Sequence, residues 1–197
     1  MIEKYKNIIK KMMSEKRYLH SVSVSNVAAK LAKRYNYNEG KAAIAGILHD
    51  ITKEMPDEFH LELFKRHNVK LDEIEKISKK LWHSISGSLY IKENLNINDE
   101  EILNAVKYHT TGRKGMTLID KIIFLSDFLA EDRQYENSKE MEELAFENLD
   151  AAVIYGLKLQ MEGFFIKNLL LSKNMFEAYN DMIINHCEDW CNKKHKK

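Results

Sequence analysis

His49 and Asp50 stand side by side in the stretch AGILHDITKEM (45–55), ending an apolar run of Ala42, Ala43, Ile44, Ala45, Ile47 and Leu48. Imidazole and carboxylate are both good ligands for a divalent ion, yet neighbours on a regular helix point about 100° apart. Both can face one ion if the ion sits near the helix end. Further candidate ligands are His20, His83, His109 and Asp127, each on or at the end of a different expected helix. A histidine from the second helix and an aspartate from a later one would complete the shell. Imidazole plus carboxylate with positions left open suits iron, manganese or zinc, and open positions are where a reactive water sits. Taken singly, each residue has an ordinary account: a lone histidine on an apolar helix belongs to the core, and Asp50 is a polar group at a helix end. His60 and His67, after Pro56, keep that ordinary account.

The elements that must position these residues are helical. At 197 residues the chain can build one substantial core, and 44% hydrophobic with 31% charged residues is an ordinary globular balance. Thirty-one basic and 30 acidic residues leave a net charge of +1. That gives no general electrostatic case for nucleic acid or an anionic membrane, so phosphate chemistry would have to be local. No apolar run approaches the roughly 18 residues of a membrane span. The lysine-threaded start, MIEKYKNIIKKMM, is unlike a secretory signal, and a cytoplasmic protein is expected. Cys187 and Cys191 are too few for a disulfide framework. With His186 and His195 they mimic a zinc set, but Cys-x-x-x-Cys on a continuing helix only sets two small side chains one turn apart, with no second ligand pair following.

One proline and seven glycines give little punctuation for a sheet-rich fold, and the apolar spacing is helical almost throughout. The spacing predicts helices to about residue 13, from about 18 to 35, and from an N-cap at Asn38 to the His49-Asp50 pair. Pro56 sits in a turn or first helical turn before DEFHLELFKRH. A segment around LWHSISGSLYIKENL follows, and Asn98 with Glu101 resembles a capping box opening the next helix. TTGRKGM is a loop, TLIDKIIFLSDFLA is helical, and two or three more helices occupy about 138–191. With no repeat or linker, residues 1–197 read as a single all-α domain.

The ordered set His20, His49-Asp50, His83, His109, Asp127 resembles the HD superfamily of metal-dependent phosphohydrolases, which are all-α proteins named for the adjacent pair. The likeness is closer to the symmetrical diadenosine-tetraphosphate hydrolases within it. RYLHSVSVSNVAAKLA is similar to their first motif, LHDITKE to the second, and YHTTGRKGMTLIDKIIFLSDFLAEDR to the third. The likeness covers about 17–133, with a looser one through NMFEAYN. One departure stands out. The family often follows its last metal aspartate with Glu-Pro-x-Arg; here the run is Glu131, Asp132, Arg133, without the proline.

The resemblance implies that His20, His49, Asp50 and Asp127 are metal ligands, with iron the metal and manganese or zinc also compatible. His83 and His109 would bind a second metal or hydrogen-bond substrate phosphate, and the resemblance favours the phosphate contact. Asp50 and Lys53 are the implied catalytic residues, Lys53 offering charge to the phosphoryl group where local sequence alone fits an ordinary surface lysine equally well. Arg17, three residues before His20 and able to share its face, and Arg133 are candidate phosphate clamps. Thr110 offers a hydroxyl and an amide. Phe176 and Asn180, with Tyr179, are candidates for a base pocket, though aromatics at this spacing also serve a core. The implied reaction is attack of a metal-bound hydroxide on diadenosine tetraphosphate to give two ADP. An HD hydrolase for another nucleoside polyphosphate or alarmone, and a non-catalytic nucleotide-binding module, are the alternatives. The family and the apolar C-terminal helices point to a homodimer, with no nucleic-acid or membrane partner.

Overall fold

The structure is a computed structural model that describes residues 2–133 and 138–186. Every regular element among them is a helix: α1 Ile2–Ile9, α2 Glu15–Arg34, α3 Glu39–Leu48, α4 Asp57–Arg66, α5 Glu73–Ile77, α6 Trp82–Leu95, α7 Glu100–Tyr108, α8 Leu118–Phe128, α9 Ser138–Glu147, α10 Leu149–Ile166 and α11 Lys173–His186, with a 3-10 turn at Lys79–Leu81. The all-α expectation holds. No described helix is long and apolar enough to cross a membrane. Cys187, Cys191 and His195 lie outside the described residues.

Helix α8 is the axis of the bundle. Ile119, Ile122, Ile123, Phe124 and Leu125 are all fully buried, so apolar side chains surround it, as expected of a helix packed on every side. Helices α2, α3, α7 and α10 pack on it and carry it to the site with its last turn in place. Caps set the boundaries. Ser14 caps α2 and Asn38 caps α3, and Thr117 with Asp120 forms a capping box at α8. Two expectations shift. Asp99, not Asn98, caps α7, its carboxylate accepting from the Glu101 and Ile102 amides. The first helix closes at Ile9 rather than near residue 13, giving way to turns.

Helix ends explain the scarcity of glycine. Asn36, Asn68, Asn96 and Asn168 follow α2, α4, α6 and α10 with φ of 53°, 53°, 54° and 51°. Asparagine tolerates this left-handed backbone better than other residues with a β-carbon, so it stops the helices where glycine otherwise would. Glycine is required at one packing contact. A Cβ on Gly46 of α3 would lie 2.9 Å from Ser25 Cα and 3.2 Å from Val24 O, so its absence lets α3 lie directly on α2.

Candidate metal centre

Five helices bring the predicted ligands together. His20 lies within α2, and His49 is the C-terminal cap of α3 with Asp50 next. His83 opens α6, His109 caps the end of α7, and Asp127 lies in the last turn of α8. Three C-terminal ends therefore converge, and their partial negative charge favours a cation. The four histidines and Asp50 are each no more than 3% exposed.

The histidines share a tautomer. His49 Nδ1 is 2.7 Å from Gly46 O, His83 Nδ1 is 2.7 Å from Lys80 O, and His109 Nδ1 is 2.7 Å from Val106 O. A carbonyl only accepts, so each Nδ1 carries the proton and each Nε2 presents a lone pair. His20 reaches the same state differently: its Nδ1 donates to Asp132 Oδ1 at 2.7 Å. Asp132 is the site residue that sequence reasoning passed over. It lies in the polar run 131–133, where nothing in the spacing says that it folds back on α2.

The inward atoms are acceptors facing acceptors. His20 Nε2 lies 3.0 Å from Asp127 Oδ1, and His49 Nε2 3.5 Å from Asp50 Oδ2. Asp50 Oδ1 lies 3.1 Å from His83 Nε2 and 3.4 Å from His109 Nε2, which are themselves 3.3 Å apart. His20 Nε2, His49 Nε2 and Asp50 Oδ1 are buried without a hydrogen-bond partner. Burial lowers the pKa of His49 and His83 to about 4, against the pull of Asp50, so protons do not fill these gaps at neutral pH. The three buried acceptors left without a partner are costly, and a cation resolves them. The ligand atoms of His20, His49 and Asp50 lie within 4.8 Å of one another, as do those of His49, His109 and Asp127, and those of Asp50, His83 and His109. The donor set therefore fits a divalent ion, with Asp50 in two of the three groups.

Burial opposes ionisation of Asp50 and Asp127, but the surrounding imidazoles, and Arg133 at Asp127, hold both well below the usual carboxylate range. Burial also opposes charge on His20. The negative charges of Asp127 and Asp132 beside it outweigh that and raise its pKa.

Cations edge the cluster. Arg17 Nη1 donates to Asp50 Oδ2 at 2.8 Å, and Arg133 Nη2 to Asp127 Oδ1 at 2.8 Å. Lys53 Nζ is 3.8 Å from Asp50 Oδ1 and 3.0 Å from His83 Nε2. Burial lowers the Lys53 pKa despite Asp50 and Asp127, with Arg17 and Arg133 adding to the lowering. Thr110 follows His109, its hydroxyl 3.5 Å from Ser84 Oγ and its carbonyl accepting from Gln160. Phe176 and Asn180 lie on α11; Phe176 is 52% exposed, and its neighbour Met175 lines the cleft beside the site. His60 bonds Ser86 Oγ at 2.7 Å and braces α6 from behind, while His67 pairs with Glu93 at the surface.

A model described as HD domain matches residues 17–148. The chain is 33% identical to the symmetrical bis(5'-nucleosyl)-tetraphosphatase of Bacillus subtilis (strain 168), across 89% of this chain and 94% of that one. It is 34% identical to the protein of the same name from Staphylococcus aureus (strain NCTC 8325 / PS 47), across 74% of each. A crystal structure from Clostridium acetobutylicum, described as a "predicted HD superfamily hydrolase involved in NAD metabolism", superposes with a TM-score of 0.90 at 32% identity, covering 93% of this chain and 97% of that one. The chain belongs to the HD-domain family, and within it to the family of symmetrical bis(5'-nucleosyl)-tetraphosphatases.

Proposed function

We propose that this chain hydrolyses diadenosine tetraphosphate symmetrically, giving two ADP. The observation that carries the reading is the buried cluster of inward acceptors from His20, His49, Asp50, His83, His109 and Asp127, edged by Arg17, Lys53 and Arg133. The motif-bearing residues and the C-terminal helices act together as one domain. His20, His49, Asp50 and Asp127 hold one ion, and Asp50 with His83 and His109 holds a second. Such an ion supplies Lewis-acid polarisation and makes a coordinated water acidic enough to ionise near neutral pH. Imidazole and carboxylate ligands suit iron, and they also accept manganese or zinc. Of these, we infer iron.

The remaining work falls to the chain's own groups. The tetraphosphate is strongly anionic, and Arg17 and Arg133 meet it at the half-exposed edge. A guanidinium has five donors, of which Arg17 commits one to Asp50. Two ADP result only if attack falls on the second phosphorus from one nucleoside. One ADP unit must therefore be gripped by Arg17, Thr110 and Arg133 while the other departs. Lys53, over Asp50 and His83, offsets the charge that builds on the phosphoryl oxygens in the transition state.

The test is elemental analysis of the purified protein combined with product identification from diadenosine tetraphosphate, ATP and NAD. ADP alone from the first substrate is expected, whereas ATP plus AMP refutes symmetric cleavage. NAD carries only two phosphates, so hydrolysis of its single P–O–P bond would give two mononucleotides and no ADP. His83→Ala and His109→Ala should each lower the metal stoichiometry. Full stoichiometry with impaired kinetics would make both histidines phosphate contacts instead.

A further inference from the structure

Three buried polar side chains outside the ligand set run in line behind the metal centre. Thr52 and Ser86 are buried, and His60 is 5% exposed. Thr52 lies in the turn that carries Asp50 and Lys53, Ser86 lies in α6 shortly after His83, and His60 lies in α4. His60 sets the direction of the line. Its Nε2 is 3.2 Å from the Met55 carbonyl, which only accepts, so Nε2 carries the proton and Nδ1 accepts from Ser86 Oγ at 2.7 Å. Burial lowers the pKa of this ring and so favours its neutral form. With its single proton committed, Ser86 Oγ can only accept from Thr52 Oγ1, 2.9 Å away. The Thr52 proton is then divided between Ser86 Oγ and the His83 carbonyl at 2.8 Å.

We propose that Thr52, Ser86 and His60 form a strut that holds the Lys53-bearing turn at a fixed distance from His83, which makes them positioning residues for the hydrolysis. This role rests on the phosphohydrolase reading above. The strut crosses the seam at which the cluster is assembled. On one side are Asp50 and Lys53. On the other is His83, whose Nε2 lies 3.1 Å from Asp50 Oδ1 and 3.0 Å from Lys53 Nζ. No side chain caps the start of α6, and Thr52 restrains its first turn from outside the helix. The packing across the seam is close, since a Cβ on Gly87 of α6 would lie 3.4 Å from Thr52 Oγ1. Lys53 reaches the cluster on a flexible stem, so its ammonium is only as well placed as the turn it leaves from. Phosphoryl transfer depends on positioned charge, and a misplacement of about an ångström can cost on the order of 100-fold in rate.

Valine fills nearly the same space as threonine and lacks only the hydroxyl, so the link itself can be removed. Thr52→Val, Thr52→Ser, and Thr52→Val in a Lys53→Ala background are compared with the wild-type full chain, with metal in excess and well below each thermal midpoint. The measurements are kcat and KM for diadenosine tetraphosphate, and amide hydrogen exchange of the chelator-treated protein. Thr52→Val is expected to lower kcat about tenfold with little change in KM, because Lys53 acts mainly in the transition state. Thr52→Ser should restore most of that loss, and the loss should largely vanish in the Lys53→Ala background. Exchange in Thr52→Val should quicken in the first two turns of α6 and stay unchanged in α10. Unchanged kcat in Thr52→Val overturns the strut, as does a loss that Thr52→Ser shares in full or that persists undiminished without Lys53. Unchanged exchange in α6 overturns it whatever the activity. Should Thr52→Val not fold, Ser86→Ala removes the middle link and carries the same kinetic and exchange comparison. A wild type that leaves diadenosine tetraphosphate intact, while Thr52→Val still quickens exchange in α6, would sink the activity and keep the hold on His83.

Discussion

Gly46→Ala adds one methyl group, yet it should reach the metal centre. The new Cβ would sit 2.9 Å from Ser25 Cα, 3.1 Å from Ser25 N and 3.2 Å from Val24 O. All three are backbone atoms of α2, so no side-chain rotation relieves the clash and the helices must part by several tenths of an ångström. Overpacking of this kind costs about 1–3 kcal/mol, and replacing a helical glycine returns about 1 kcal/mol. A net loss of at most about 2 kcal/mol remains, equivalent to a fall of up to roughly 8 °C in Tm for a domain of this size. The functional effect should be larger than that loss suggests. His20 is on α2 and His49 is held by the Gly46 carbonyl, with their ring centroids 5.3 Å apart, so separating the helices pulls the two ligands apart. Displacement of reacting groups by about an ångström can cost on the order of 100-fold in rate. Thermal denaturation with elemental analysis and turnover tests this. A variant with wild-type Tm, full metal and full activity would refute the claim that the close contact of α2 with α3 sets the ligand geometry.

Removing Asp132 should loosen the metal without unfolding the chain. Asp132→Ala deprives His20 Nδ1 of its acceptor and should weaken metal retention against a chelator about 10–100-fold, with Asp132→Asn intermediate because its amide oxygen still accepts. Equal retention in all three proteins would remove Asp132 from the site. Lys53→Ala should depress kcat far more than it raises KM, on the order of 100-fold, because its charge is needed most in the transition state; an effect confined to KM would deny it that role. The metal-free protein should lose stability as pH falls from about 6.5 to about 4. His49 and His83 stay neutral when folded, their pKa lowered to about 4, while the unfolded chain takes up protons below its ordinary histidine pKa. Their contribution, on the order of a few kcal/mol, is complete above that window and gone below it, with His20 opposing in part. Denaturant titrations of chelator-treated protein that give a flat profile across this range would contradict the burial argument.

The helical architecture was legible because the apolar spacing holds one period for most of the chain and the caps announce themselves. Asn38 before α3 and the TTGRKGM loop with Gly112 and Gly115 at positive φ are local signals that local reasoning can read. What escaped it was also local. Four asparagines end helices in a conformation more commonly signalled by glycine, so a reader counting glycines sees too little punctuation. Asp99 took the cap from Asn98 because either residue could accept the α7 amides, and only the approach of the preceding chain decides which does.

The candidate site was legible as a set of residue types in order, and less so as a mechanism. The i−3 carbonyl device that sets the tautomers of His49, His83 and His109 follows from each histidine's place at a helix end or in a first turn, and in principle it could be read from boundaries alone. Asp132 could not, because it acts across 112 residues of sequence through a turn that no periodicity describes. The cleft is harder still. Its walls come from residues 77–81, Phe128, α10 and Met175, segments that share no motif and sit mostly outside the motif-bearing stretch. Metal chemistry needs particular side chains at fixed positions and so leaves a pattern in the sequence. A base pocket needs only apolar surface of the right shape, which several residue types supply, so Phe176 and Asn180 rest on no such pattern. The order of ligands therefore points to the chemistry of this chain, while the cleft beside them is legible only in the fold.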